Sequence, residues 1–221
     1  LRFNEQTEAL PKPMITVGGK PILWHIMRNF AAAGFARFVV CLGYKGERIH
    51  EYFRRSTPWE IDFVDTGEKT ETGGRLLRVK DRIDSPLFFT AYGDGVSDLD
   101  PKVLLRTHRF HERHATMTCV MPRTTFGVVK VTSTGLVARY EEKPCLPMYV
   151  NGGFFVFTRA IFDYLAGDNE RLEVKPMKQL VAERQLAAHI HDGFWACMDT
   201  AKDNQALNDL WSEGTAPWRR W

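Results

Sequence analysis

Apolar and polar positions alternate along the chain in two distinct rhythms. Short apolar runs rich in β-branched and aromatic residues recur at 37–42 (RFVVCL), 61–64 (IDFV), 87–91 (LFFTA), 116–121 (TMTCVM), 127–132 (GVVKVT) and 152–157 (GGFFVF), and each predicts a strand. Between them lie stretches with helical spacing. In PILWHIMRNFAAAG (21–34), Leu23, Ile26, Met27 and Phe30 fall on one side, Pro21 suits the first turn and Gly34 the stop. DPKVLLRTHRFHERH (100–114) predicts a second helix, capped by Asp100 with Pro101 in the first helical position. Strand–helix alternation up to residue 120 predicts an α/β fold with a mostly parallel sheet flanked by helices. The closer spacing of later strands predicts a smaller antiparallel or mixed portion.

A chain of 221 residues suits one domain, here 1–221, with a substantial core. The formal charge of +3 comes from dispersed basic residues, with no basic stripe and no recognition motif, so nucleic acid is not an expected partner. No apolar run reaches the length of a membrane span, and the first residues do not read as a signal peptide. Cys41, Cys119, Cys145 and Cys197 are far apart and form no C-x-x-C pair, which predicts reduced thiols in a cytoplasmic protein.

Chemistry enters where strand 87–91 runs into YGDGVSD (92–98). Ligands of open α/β sheets bind beyond the carboxyl ends of strands, which is where Asp94 stands. Gly93 and Gly95 allow a sharp turn and close approach of a ligand. A purely structural turn is the alternative, and the local pattern does not separate the two.

Four further stretches do. They are LPKPMITVGGKPILWHIM (10–27), VDTGEKTETGGRLLRV (64–79), EEKPCLPMYVNGGFFVF (141–157) and GFWACMDTAKDNQALNDLWSEGTAPWRRW (193–221). Together with YGDGVSD they resemble, over essentially the whole chain, the sugar-1-phosphate nucleotidyltransferases, and within them the glucose-1-phosphate cytidylyltransferase branch. The P-K-P, E-K-P and N-G-G motifs belong to the wider superfamily. The ordered set VDTG…TGGRL, YGDGV and GFW…MDT…LW is closer to the cytidylyltransferase branch.

The resemblance implies a Rossmann-like mixed sheet of the nucleotide-diphospho-sugar transferase type. It also implies attack of a sugar-phosphate oxygen on the α-phosphorus of CTP, giving CDP-glucose and pyrophosphate. Both reactants are anionic, so such catalysis is mainly positioning and charge neutralisation. Asp94 and Asp199 of MDT match the residues that hold Mg²⁺, which prefers carboxylate and phosphate oxygens. Lys12 matches the phosphate-binding lysine, its alternative being a solvated lysine between prolines. Lys143 matches the sugar-phosphate position, with Glu142 accepting from sugar hydroxyls. Asn151 and Gly152 match the segment against which the sugar lies, although a plain turn before a strand would read the same way. Thr72, Gly73 and Arg75, with Gly93, match the nucleotide-binding side, whereas a bare helix start capped by Thr72 is the local alternative. The implied partners are a nucleoside triphosphate, a hexose 1-phosphate and further copies of the chain.

The sequence also departs from the family. The usual first buried strand and its G-x-G-T-R-L loop, which cradles triphosphate through backbone N–H groups, are absent, and Leu1 would align with the leucine after the loop arginine. Loss of that strand would leave a gap in the sheet and unpaired backbone groups, so further residues are expected before Leu1 in the natural protein. The connection between EYF and PW is shorter than in the cytidylyltransferase branch. These departures keep a different class of function in view, an inactive nucleotide-sugar-binding sensor or assembly subunit.

Two other patterns point to packing. His108, His111 and His114 recur every three residues, and His189 and His191 alternate along a strand. Without a completing ligand, hydrogen-bonded histidines are expected in place of a metal site. Trp211, Trp218 and Trp221 are expected to pack on the body or on a neighbouring subunit.

Overall fold

The structure, a computed structural model, describes residues 10–221; the alignment drawn for Leu1 lies outside the described residues. The described residues begin with a 3₁₀ turn (Lys12–Met14), then β1 (Thr16–Val17), β2 (Lys20–Pro21), α1 (Ile22–Ala32), β3 (Arg37–Leu42), α2 (Gly46–Ser56) and β4 (Glu60–Asp65). It continues through α3 (Thr72–Arg78), β5 (Leu87–Ala91), β6 (Gly95–Ser97), α4 (Pro101–His111) and β7 (Ala115–Val120). The remaining elements are β8 (Val128–Val131), β9 (Val137–Glu141), β10 (Val150–Thr158), a 3₁₀ helix (Arg159–Tyr164), α5 (Lys175–Ala182), β11 (Leu186–Ile190), β12 (Trp195–Cys197) and α6 (Ala201–Ser212).

The largest sheet runs β11-β7-β10-β5. β11 and β7 are parallel, while β10 is antiparallel to both β7 and β5. β3 and β4 form a separate parallel pair, and β8 and β9 an antiparallel hairpin. The result is the predicted α/β fold with a mixed sheet, although antiparallel β10 reaches its middle.

β10 shows why its sequence is an unbroken apolar run. Phe154 and Val156 enter a cluster with Ile22, Ile26 and Phe30 of α1, Leu104 of α4 and Leu207 of α6. Phe155 and Phe157 enter the opposite cluster with Leu76 of α3, Ile161, Phe162 and Leu180 of α5. A strand covered on both faces needs no polar alternation. β3 and β5 feed the same two clusters, Phe38 and Phe89 on one face, Val39, Cys41 and Phe88 on the other. Among the described residues, however, no strand pairs with both of them.

Helix boundaries follow local chemistry. Asp100 Oδ1 accepts the Lys102 N–H at 2.8 Å, capping α4 as its sequence predicts. Pro21 stands just before α1, and Gly34, at φ +96°, ends it in a conformation that costs a glycine little. Glu71 occupies the N-cap position of α3 without a side-chain capping bond, so Thr72, the cap in the alternative local reading, is instead the first helical residue.

The histidine and tryptophan patterns resolve largely into packing. Buried His108 pairs through Nδ1 with Thr116 Oγ1 at 2.9 Å, and His189 with Thr107 Oγ1 at 2.9 Å. His111 is exposed instead, because it falls on the solvent side of the last turn of α4. Trp218 is fully buried and donates from Nε1 to His25 Nδ1 at 3.3 Å. His25 Nε2 in turn lies 2.8 Å from the Val17 carbonyl. An acceptor at Nδ1 and a donor at Nε2 define the neutral imidazole, and burial holds His25 below the ordinary histidine value. No helix among the described residues is long and apolar enough to cross a membrane.

Candidate active site

Three residues separated widely in sequence meet at one point. Lys12 Nζ lies 2.9 Å from Asp94 Oδ2 and 2.5 Å from Asp199 Oδ1. Each arrives by a different route. Pro11, just before the 3₁₀ turn, and Pro13, within it, flank Lys12. Asp94 follows the carboxyl end of β5, and a Cβ at Gly93 would lie 3.0 Å from Pro13 Cγ, a tight contact against the turn that bears Lys12. Asp199 follows β12, which pairs antiparallel with β6 so that Cys197 stands opposite Gly95, and the Met198 N–H donates to the Asp94 carbonyl at 2.8 Å.

The start of α6 fixes Asp199 further. Thr200 and Asp203 form a capping box, and Asp203 Oδ2 also accepts the Asp199 N–H at 3.1 Å. On the same helix Asn204 Nδ2 donates to the Thr16 carbonyl at 2.9 Å, and Asn208 Oδ1 accepts the Gly18 N–H at 2.9 Å. These bonds fasten the helix behind Asp199 to the segment behind Lys12.

The charges reinforce one another. Burial works to lower the Lys12 pKa, but hydrogen bonds and attraction from Asp199 and Asp94 outweigh it and hold the ammonium above its usual value. The Lys12 ammonium holds Asp199 below the ordinary carboxylate value, against a smaller effect of desolvation. Cys197 joins the group: Asp94, Cys197 and Asp199 each offer a ligand atom, all within 4.8 Å of one another. Burial, followed by the two neighbouring carboxylates, pushes its thiol up to about 12.

The sugar-side residues divide. Asn151 Nδ2 donates to Tyr92 Oη at 3.4 Å and its Oδ1 accepts the Gly153 N–H at 2.8 Å; the Gly152 carbonyl accepts from Trp195 Nε1 at 2.8 Å. Both therefore sit beside β12 and the residues before Asp94. Glu142 and Lys143 instead lie at the exposed end of the β8–β9 hairpin, paired with each other at 3.4 Å. Tyr140 hydrogen-bonds Glu142 and, with Lys143, holds its carboxyl below the usual range, with a contribution from Lys202 of α6. Among the described residues no hydrogen bond or ion pair joins this pair to Lys12, Asp94 or Asp199.

The nucleotide-side residues are largely committed to the fold. The Gly73 and Gly74 N–H groups both donate to the Glu170 carbonyl, at 2.9 and 3.1 Å. Arg75 donates to the Leu42 carbonyl, Thr66 Oγ1 and the Glu68 carbonyl, at 3.1, 2.8 and 3.1 Å, pinning the carboxyl ends of β3 and β4. Thr72 Oγ1 donates to Glu173 Oε2 at 2.8 Å, and Glu173 also accepts from Tyr92. Thr72, Glu173, Tyr92 and Asn151 thus form one polar chain leading toward Asp94.

Sequence reasoning missed Cys197, Glu173, Lys202 and Asp203. Only Asp203 carried a local signal, the T-x-x-D capping pattern directly after Asp199. A separate surface groove, lined by Leu87, Arg109, Glu112, Arg113 and His114, lies at the other end of β5 and holds none of the predicted site residues.

The sequence profile of the nucleotidyl transferase family matches residues 2–211. The chain belongs to this family. As a nucleotidyl transferase it is an enzyme, and it has relatives alike over its whole length. It is 39% identical over 245 aligned positions, covering all of this chain and 95% of the relative, to glucose-1-phosphate cytidylyltransferase of Salmonella typhimurium. It is 36% identical over 243 positions, again covering all of this chain and 95% of the relative, to a probable glucose-1-phosphate cytidylyltransferase of Bacillus subtilis. Among solved structures, its fold is shared with the inositol-1-phosphate CTP transferase of T. maritima (TM-score 0.73, 16% identity, 99% of this chain and 92% of that one). It is shared as well with HddC of Yersinia pseudotuberculosis complexed with GMP-PN (TM-score 0.72, 19% identity, 91% of this chain and 90% of that one).

Proposed function

We propose that this enzyme couples CTP and α-D-glucose 1-phosphate to give CDP-glucose and pyrophosphate. The observation that carries the reading is the meeting of Lys12, Asp94 and Asp199 in one hydrogen-bonded group beyond the end of β5. The choice of substrates rests on the full-length similarity to cytidylyltransferases.

In the proposed reaction a phosphate oxygen of the sugar attacks the α-phosphorus, and the bond to pyrophosphate breaks. A divalent cation fits the residues present, because two carboxylates of separate segments converge with an ammonium held between them. Asp94 and Asp199 would hold Mg²⁺, a hard cation that oxygen ligands suit, and the bound ion would draw charge from the phosphate oxygens. Lys12, whose ammonium is paired with the two carboxylates in this structure, would then serve as a mobile positive charge for the phosphate. Asn151 and Gly152 bound the sugar side, and Glu142 and Lys143 would join it from the end of the β8–β9 hairpin, where Lys202 of α6 already contributes to the field on Glu142. Thr72, Gly73 and Arg75 shape the nucleotide side, Arg75 by fixing the strand ends and Thr72 and Gly73 by tying α3 to residues 170–173, and Gly93 leaves room for the 3₁₀ turn bearing Lys12.

The reading places the enzyme in the cytoplasm, consistent with four free cysteines. It also takes the chain as a homo-oligomer, supported by the apolar side chains that the β8–β9 hairpin exposes, among them Val131, Leu136, Val137 and Tyr140.

The test is a pyrophosphate-release screen of four nucleoside triphosphates against several sugar 1-phosphates. CTP with glucose 1-phosphate should give the highest kcat/KM. A different best pair would move the specificity. Calorimetric binding of CTP without pyrophosphate release from any pair would make the protein a sensor.

A further inference from the structure

The thiol of Cys197 has no part in the reaction proposed above, yet its position is fixed by the same structure that fixes the carboxylates. The β6–β12 register sets Cys197 opposite Gly95, next to Asp94, and the Met198–Asp94 backbone bond locks that register. Met198 points into the core, fully buried. Its neighbours Cys197 and Asp199 therefore leave the segment on the other side, as period-two alternation requires. Their ligand atoms and that of Asp94 fall within 4.8 Å of one another. An ordinary Mg²⁺ site presents oxygen alone. This one presents two oxygens and a sulfur, a mixed set whose soft member suits Zn²⁺ and similar cations.

We infer that Asp94, Cys197 and Asp199 form a second mode of metal binding, in which a thiophilic divalent cation such as Zn²⁺ or Cd²⁺ is held through the Cys197 sulfur and displaces the hard cation. The inference rests on the proposed reading of Asp94 and Asp199 as cation ligands. On binding, the Cys197 S–H bond breaks, a sulfur–metal bond forms and the proton passes to solvent; no electrons are transferred. Lys12 must give up its place between the carboxylates, so the soft cation competes with the ammonium as well as with the hard ion.

The test uses metal-stripped protein titrated with Cd²⁺, followed by the ultraviolet thiolate-to-cadmium charge-transfer band. In parallel, Mn²⁺ binding in the presence of CTP is followed by electron paramagnetic resonance. The wild type should show a band saturating at one equivalent and release of bound Mn²⁺ in step with it. Cys197→Ser should lose the band and weaken Cd²⁺ binding by at least about 100-fold. Cys145→Ser, which removes the exposed thiol, should keep both. A band that survives in Cys197→Ser, or no band in a wild type that binds Mn²⁺, overturns the sulfur assignment and leaves the carboxylate site standing. Failure of the wild type to bind Mn²⁺ overturns the cation reading, and this inference with it. The displacement of Mn²⁺ from the wild type needs no variant to fold.

Discussion

Met198 donates its backbone N–H to the carbonyl of Asp94 at 2.8 Å. One ladder bond thus holds together the two segments that bear the candidate carboxylates, 94 beyond β5 and 199 beyond β12. The ammonium of Lys12, 187 residues before Asp199, closes the group from a third direction.

Asp94→Asn and Asp199→Asn should each lower kcat by at least about 100-fold, the scale on which loss of one preorganised charge-stabilising group is felt. Lys12→Met should do the same with smaller effect on nucleotide affinity at saturating Mg²⁺. Steady-state pyrophosphate release measures all three, and near-wild-type turnover in both aspartate variants would remove the assignment.

Acid should destabilise the protein through its buried histidines. His25, His108 and His189 are all held below the ordinary value of 6.5, desolvation being the largest cause in each. The unfolded chain takes up protons near that value while the folded chain does not. Stability is therefore full above it and declines as pH falls through and below it. Urea midpoints at several pH values between about 5 and 8 should show a plateau at the alkaline end and a fall at the acid end. A midpoint that rises on acidification would contradict the neutral tautomer of His25.

Gly18→Ala should cost more than about 2 kcal/mol of stability. Its φ is +57°, and a Cβ would stand 2.1 Å from Trp211 Nε1. Gly19→Ala has a similar backbone conformation but open space, so the difference between the two thermal midpoints isolates the indole contact.

Leu136→Asp on the β8–β9 hairpin should reduce the oligomeric mass measured by light scattering, while the circular dichroism spectrum stays unchanged. Leu136 is 69% exposed in the single chain, so a polar replacement there disturbs no core. An unchanged mass would direct the interface elsewhere.

The strands at 37–42 and 87–91 could be read residue for residue because each is a short apolar run with turn residues at both ends. The helix starting at Asp100 carried its cap and its proline in the sequence. Antiparallel β10 was harder to place, since a run buried on both faces has no period to reveal its direction or its neighbours. At the site, Lys12, Asp94 and Asp199 were legible only as motifs; nothing local says that they touch. Arg75 was legible as part of TGGR but not in its bonding, because three acceptors spread over 42–68 meet it only after β3 and β4 have paired. Cys197 carried no signal at all. A single thiol in GFWACMDT becomes a potential ligand only through the register of a three-residue strand.

The packing of Trp218 on His25, and of Trp211 over Gly18, has a consequence for how the enzyme would fail. Residues 211–221 form a plug on the same segment that delivers Lys12, and truncating a buried tryptophan costs about 3–5 kcal/mol. Trp218→Ala would loosen that plug while leaving the sequence of every central strand untouched. The protein would lose its lysine's footing, and with it turnover, well before its circular dichroism reported any unfolding.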